Sequence, residues 1–156
     1  MNHLMQEYWP IFEQYQALRS QLLDMVSDDD LQFKVEGNES LGALCLEIGE
    51  TEQAYIQSFR DYKIEFNYQH PDTSASGSVD KLRAWYGQMD AELKAILAGM
   101  SEADLQKPVD RGGWMLPAAI HLDVYKEALL IFYGKTRVYL RALGKELPEQ
   151  WAHWIA

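Results

Sequence analysis

Apolar residues recur at every third or fourth position in four long stretches of this chain, and nowhere do they alternate convincingly with polar ones. From Leu4 the series is Tyr8, Ile11, Phe12, Tyr15, Leu18, Leu22, Met25 and Val26. A second runs from Leu41 to about Phe66 through Leu44, Ile48, Tyr55, Phe59 and Tyr62, and a third from Val79 through Leu82, Tyr86, Met89, Leu93 and Ile96 to Met100. The fourth follows Gly112-Gly113 and Pro117 and closes at Gly144, with Pro148 preventing resumption. A period near 3.6 places each set on one helical stripe, and each stripe must be buried against another element. Four such helices and no period-2 strand predict an all-α fold, a four-helix bundle.

Local signals set the boundaries. Ser40 and Ser78 are suited to N-capping the second and third helices, and Pro10 either falls in a first turn or imposes a kink. SDDDL at residues 27–31 and SEADL at residues 101–105 each carry a serine followed three residues later by an acid, the capping-box pattern of a short helical turn. Thirteen residues separate Ser27 from Ser40 and, again, Ser101 from Trp114. The chain thus reads as two helix pairs joined by the loop NYQHPDTSASGS, residues 67–78, within one domain spanning 1–156. Connections this long leave open whether consecutive helices run antiparallel or side by side.

Composition narrows the function classes. At 156 residues with 47% hydrophobic and 24% charged residues, the chain can bury its own core and is neither a disordered nor a membrane sequence. No apolar run reaches the ~20 residues of a bilayer span, and MNHLMQEYWP has no signal-peptide pattern, so a cytoplasmic protein is expected. Cys45, the lone cysteine, lies in LGALCLEIG and reads as a small buried hydrophobe. A net charge of −10 with scattered Lys and Arg argues against nucleic acid as a partner.

YGKTRVYLRALGKELP, residues 133–148, resembles the last helix of the bacterial DinB-like (YfiT-like) superfamily, with Gly134, Tyr139, Leu140, Arg141, Leu143, Gly144 and Pro148 in register. SLGALCLEIGETEQAYI, residues 40–56, resembles that family's second helix, with Glu52 at its usual place, and the SDDDL and SEADL turns also match. The resemblance implies a four-helix bundle, often a homodimer, in which many members hold Zn²⁺ or Ni²⁺ through three histidines. One comes from the second helix and two, four residues apart, from the fourth. Some relatives are metal-dependent hydrolases or thiol S-transferases.

Transferred residue by residue, those ligand positions fall on Glu47, Ala128 and Phe132. Only Glu47 offers a donor, because a methyl group and a phenyl ring have no lone pair for a metal. Lys135 stands where the family carries a glutamine, and its cation opposes a nearby metal. His121 shares the face of Ala128 and Phe132, but at ~1.5 Å per residue it lies roughly 10 and 16 Å from them along the axis, too far for one coordination sphere. His3, His70 and His153 have no metal-ligand spacing.

These residues therefore predict no cofactor and no divalent metal, and a pocket between the second and fourth helices lined by Glu47, Thr51, Tyr125, Ala128 and Phe132, with His121 as a further candidate. The expectation is a binding or interaction protein for a small apolar or amphipathic ligand. The alternatives are a metal-dependent hydrolase or thiol S-transferase using Glu47 with other ligands, and an oligomeric scaffold whose pocket is filled. Glu47 is expected to be an interior carboxylate requiring a partner, while Glu50, Glu52 and the Asp28-Asp29-Asp30 run read as solvated surface or turn capping. Trp151, Trp154 and Ile155 are expected to pack on the bundle or across a dimer, and Trp9, Trp85 and Trp114 to anchor the core or an interface.

Overall fold

In a computed structural model that describes residues 1–155, four long helices carry the chain: α1 (Trp9–Met25), α3 (Leu41–Asp61), α4 (Val79–Gly99) and α6 (Ala118–Ala142). Short helices α2 (Asp28–Leu31), α5 (Glu102–Gln106) and α7 (Glu149–Trp154) sit between or after them. Ser40 accepts the Ala43 N–H and Ser78 the Lys81 N–H, so both hydroxyls cap the helices the sequence assigned to them. Ser27 with Asp30, and Ser101 with Asp104, form complete capping boxes that start α2 and α5.

Pro10 has the effect its ring demands. One turn of π-helix, Leu4–Tyr8, precedes α1, and the Trp9 N–H reaches back to the Leu4 carbonyl. In a regular helix the proline ring would press on the carbonyl four residues earlier, and the wider turn relieves that contact.

The helix contacts settle the directions. α1 and α3 each pack against both α4 and α6, so the consecutive helices α1 and α3 lie across the bundle diagonal. Tyr8 meets Asp123 and Tyr15 meets Tyr133, making α1 and α6 parallel. Asp24 pairs with Arg83 and Glu13 with Lys94, making α1 and α4 antiparallel. Tyr55 stacks near His121 whereas Tyr139 bonds the Glu39 carbonyl, making α3 and α6 antiparallel. The order is up-down-down-up, and the diagonal crossings explain why the connections through α2 and α5 are long.

Three expectations need correcting. The second helix ends at Asp61 rather than near Phe66, because Tyr62 turns left-handed (φ 54°) and the following residues join a small sheet. That sheet is the antiparallel hairpin of β1 (Pro108–Asp110) and β2 (Met115–Pro117), to which Lys63 adds a parallel bridge at Asp110. Strands of three residues are too short to show alternation, and the Gly112-Gly113 pair forms their turn with φ of 79° and 111°. Trp114 lies on this hairpin, 55% exposed, rather than in the core with Trp9 and Trp85.

Loop 67–78 is fastened down. Its end forms a 3₁₀ turn, Thr73–Gly77, that lies on α3 where Gly42 has no side chain, and the His70 ring lies against Trp85, tilted by 58° with centroids 4.2 Å apart. At the other end α7 folds back on its own bundle. Trp151 is fully buried, with its indole N–H on the Leu18 carbonyl at 3.0 Å, and Trp154 lies against Tyr15.

Candidate functional site

α3 presents its residues to two different environments. Ile48, Glu52, Tyr55 and Phe59 point into the bundle and are buried; Glu47 and Thr51, one turn apart, follow the outer seam with α6. In that seam a cavity of about 160 Å³ opens among Leu44, Glu47, Ile48 and Thr51 of α3 and Ala128, Ile131, Phe132 and Lys135 of α6. The lining is mainly apolar, with the Glu47 carboxylate and the Lys135 ammonium, both exposed, as its charged groups. Larger hollows of about 310 and 440 Å³ continue from Glu47 towards Phe66 and Tyr68 and towards Val138 and Tyr139, so the cavity is the middle of a longer groove.

Four of the residues singled out in the sequence thus meet in one place: Glu47, Thr51, Ala128 and Phe132. Glu47 is not interior, however. Position 47 lies about 140° around the helix from position 52 and faces outwards, so its side chain needs no buried partner. The Thr51 hydroxyl donates to the Glu47 backbone carbonyl at 2.9 Å. The donor set does not fit a zinc- or nickel-type site, for one carboxylate and one hydroxyl stand beside an ammonium, while Ala128 and Phe132 supply carbon only. Among the described residues no three His, Cys, Asp or Glu side chains are grouped to hold a metal ion.

His121 and Tyr125 do not line this cavity. His121 is fully buried between Tyr55 and Phe59, with ring centroids at 4.7 and 5.2 Å. Its Nδ1 lies 2.8 Å from Arg111 Nη1 and its Nε2 2.7 Å from Ser58 Oγ. Guanidinium can only donate, so Nδ1 accepts and Nε2–H donates to Ser58, whose hydroxyl donates onward to the Tyr55 carbonyl at 2.6 Å. Burial, then the neighbouring Arg111 charge, pushes the imidazole down to about 3. The ring is a fixed neutral link, and its protonated Nε2 cannot accept a proton from Ser58 as a triad base would.

The acid that the bundle does bury is Glu52. It is fully buried and receives a hydrogen-bonded ion pair from Arg19, which is 1% exposed and reaches across the diagonal from α1. Arg19 also bonds Asp90 of α4 at 2.6 Å, and Gln16 donates to the same carboxylate oxygen at 2.6 Å. The guanidinium lies 4.0 Å over the Tyr86 ring. Burial pushes the Glu52 carboxyl up to about 7; Arg19 pulls the other way, and Asp90 adds repulsion. Glu52 Oε1 and the Tyr125 hydroxyl are both buried without a hydrogen-bond partner among the described residues. The sequence reading of Glu52 as solvated is therefore wrong. The detectable signal was spacing: Cys45, Ile48, Tyr55 and Phe59 leave position 52 in the middle of the buried stripe.

Asp28 and Asp30 do work at turns, Asp28 accepting the Val79 N–H and Asp30 completing its capping box and pairing with Lys145. The Cys45 thiol is fully buried, and that burial pushes it up to about 12, which leaves it unreactive as a nucleophile.

No protein-family model matches the sequence, and no curated protein matches it. Solved structures do match. A DinB-like protein, YjoA, from Bacillus subtilis superposes with a TM-score of 0.71 at 19% identity, covering 89% of this chain and 94% of that one. A mycothiol-dependent maleylpyruvate isomerase superposes with a TM-score of 0.60 at 16% identity, over 75% of this chain and 54% of the isomerase, so this chain spans about half of that protein's length. No helix among the described residues is long and apolar enough to cross a membrane. The likeness to YjoA over nearly the full length of both chains gives this protein the DinB-like four-helix-bundle fold.

Proposed function

We propose that the protein binds a small apolar or amphipathic organic molecule in the α3–α6 seam, at the place where the DinB resemblance would put a divalent metal, and that it uses no metal there. The observation that carries this reading is the lining of the cavity: apolar walls from Ile48, Ala128 and Phe132, with the exposed Glu47 carboxylate and Lys135 ammonium as its two charged groups. A volume of about 160 Å³ matches the engineered apolar cavities of roughly 150 Å³ that admit benzene. Such a site gains affinity from burying the ligand's apolar surface and selects orientation through Glu47 and Lys135. The protein is taken to act in the cytoplasm, as a homodimer.

The test uses untagged protein, so that no added histidines bring metal, with indole as probe beside Zn²⁺ and Ni²⁺. A ligand that binds only the folded state raises the melting temperature. Indole is expected to raise it, and Ala128→Leu, which fills the cavity, to abolish the rise, while neither metal has an effect. One equivalent of Zn²⁺ or Ni²⁺ bound and then lost on Glu47→Ala overturns the reading in favour of a metal enzyme. Failure of indole to act selects the filled scaffold. Light scattering on the same sample tests the dimer.

A further inference from the structure

The groove between α3 and α6 does not carry the same charge along its length. The hollow of about 310 Å³ at its Phe66 end is lined by Glu47, Glu50, Thr51, Phe66 and Tyr68: two carboxylates, a hydroxyl and two aromatic rings, with no cation among them. Lys135 borders the middle cavity and the opposite hollow instead. Glu47 and Glu50 stand three residues apart on one helix, a like-charge placement that weakens the helix unless a cation answers it. The basic residues that follow in sequence at this end of α3 are already engaged, Arg60 by Glu92 and Lys63 by Glu65. At Glu47 it is the backbone carbonyl, not the carboxylate, that receives the Thr51 hydroxyl, which leaves the carboxylate free among the described residues. One oxygen of Glu50 accepts the His70 backbone N–H at 2.8 Å, which holds that carboxylate at the groove and leaves its second oxygen available.

The rings complete the environment. Phe66 is 63% and Tyr68 36% exposed, whereas Phe12, Tyr55 and Phe59 of the bundle are buried. Tyr68 lies close enough to Glu50 for that charge, after burial, to push its phenol up, so the ring stays neutral beside the carboxylates. An aromatic face and a carboxylate attract the same guest, an organic cation, the face through its quadrupole and the acid through its charge. We propose that the ligand of the α3–α6 seam is an organic amine, its ammonium group held by Glu47 and Glu50 against the rings of Phe66 and Tyr68 and its apolar body lying beside Ala128 and Phe132. This rests on the seam being a ligand site, and it sets which way round the ligand lies. The two halves adjoin because Glu47 and Thr51 border both the apolar cavity and the acidic hollow. Glu47 is exposed and Glu50 half-buried, so the ammonium keeps part of its water and avoids the desolvation cost of a fully buried ion pair.

The test is calorimetric titration of the untagged full chain with indole, tryptamine and indole-3-acetate, which share one apolar body and differ in charge. Tryptamine should bind about tenfold more tightly than indole, and indole-3-acetate no more tightly than indole. Glu50→Gln, whose amide oxygen can still take the His70 N–H, and Phe66→Ala, at an exposed ring, should each weaken tryptamine severalfold and leave indole unchanged. Ala128→Leu should weaken both. Indole binding with tryptamine no tighter overturns the amine and leaves the seam as a ligand site, whereas binding of neither overturns both readings. Tryptamine binding indifferent to Ala128→Leu, or unaffected by both Glu50→Gln and Phe66→Ala, also overturns the assignment.

Discussion

Replacing Arg19 by methionine removes the cation on which two carboxylates converge while preserving the length and much of the apolar stem of the side chain. Glu52 is fully buried and Arg19 1% exposed, so water cannot replace the lost bond. Breaking a buried pair by deleting one partner costs about 3–5 kcal/mol, because the surviving charge is left uncompensated. In a 156-residue domain each kcal/mol corresponds to about 2–4 °C, so the melting temperature should fall by roughly 6–20 °C. Asp90 is a lesser liability, as it retains Gln16 and is partly exposed. The loss should be smaller at pH 5.5 than at pH 8, because burial raises the Glu52 carboxyl to about 7, so at the lower pH it already carries a proton and removing Arg19 leaves no uncompensated charge on it. Adding Glu52→Leu should restore much of the stability, since an apolar pair of similar volume is often as good as a buried ion pair. Urea unfolding of wild type, both singles and the double variant at the two pH values measures all of this. A loss below about 1 kcal/mol for Arg19→Met, or a loss indifferent both to pH and to Glu52→Leu, refutes the claim that the cluster is a closed ionic core.

Three further outcomes follow from the packing. Gly42→Ala should cost about 1–3 kcal/mol or more in urea unfolding, because a Cβ there would lie 1.8 Å from the Ser76 backbone oxygen and force loop 67–78 off α3. Trp151→Ala should cost about 3–5 kcal/mol by the same measurement, because it removes a fully buried indole together with its bond to Leu18. The pH dependence of stability has two opposed parts. Glu52, raised from 4.5 to about 7, holds its proton in the folded state and lowers stability as pH rises through that window, whereas His121, lowered from 6.5 to about 3, makes the folded state lose stability as pH falls below 6.5. Between pH 5 and 6.5, Glu52→Gln should therefore tilt the stability curve upwards with pH and His121→Gln should tilt it downwards, and an unchanged slope in either variant would contradict the assigned cause.

The helices were legible because their signals are local. Serine at positions 27, 40, 78 and 101 caps a nearby N–H whatever the rest of the chain does, and a 3.6 period survives any arrangement of neighbours. The hairpin was not legible. Strands of three residues show no alternation, and the bridge that ties them to Lys63, 47 residues before Asp110, lies outside any short window of sequence. The core alternative for Trp114 fell with it, since a tryptophan beside a predicted helix start can be assigned to the core until the intervening turn is known. The seam between α3 and α6 was found through the DinB resemblance, which located Glu47, Ala128 and Phe132 correctly as neighbours but could not say that the first faces outwards. Arg19 was missed for a related reason. A lone cation in an apolar stripe is recognisable only once Glu52 and Asp90, from two other helices, are known to converge on it.

Positions 47 and 52 show how this bundle separates what holds it together from what it offers to a ligand. Both are glutamates on one helix, yet about 140° of rotation sends one to the seam and the other to the centre. The central acid joins residues of α1, α3 and α4 in one charged knot, and α6 closes over it with Tyr125 and Tyr133. Substitution along the seam leaves that knot untouched: Ala128 and Phe132 contribute to the cavity, not to the Arg19 contacts. The chemistry of the seam can therefore drift without cost to the diagonal packing that defines the fold. That independence predicts the reverse experiment. Ala128→His with Phe132→His, beside the native Glu47, should create a Zn²⁺ site, seen by calorimetry as one equivalent bound and as a melting temperature raised by added metal. The metal-free double variant should stay within about 1–3 kcal/mol of wild type, the cost of replacing one largely buried phenyl ring. If the substitutions instead unfolded the protein, seam and core would be one unit, and the separation argued from positions 47 and 52 would fail.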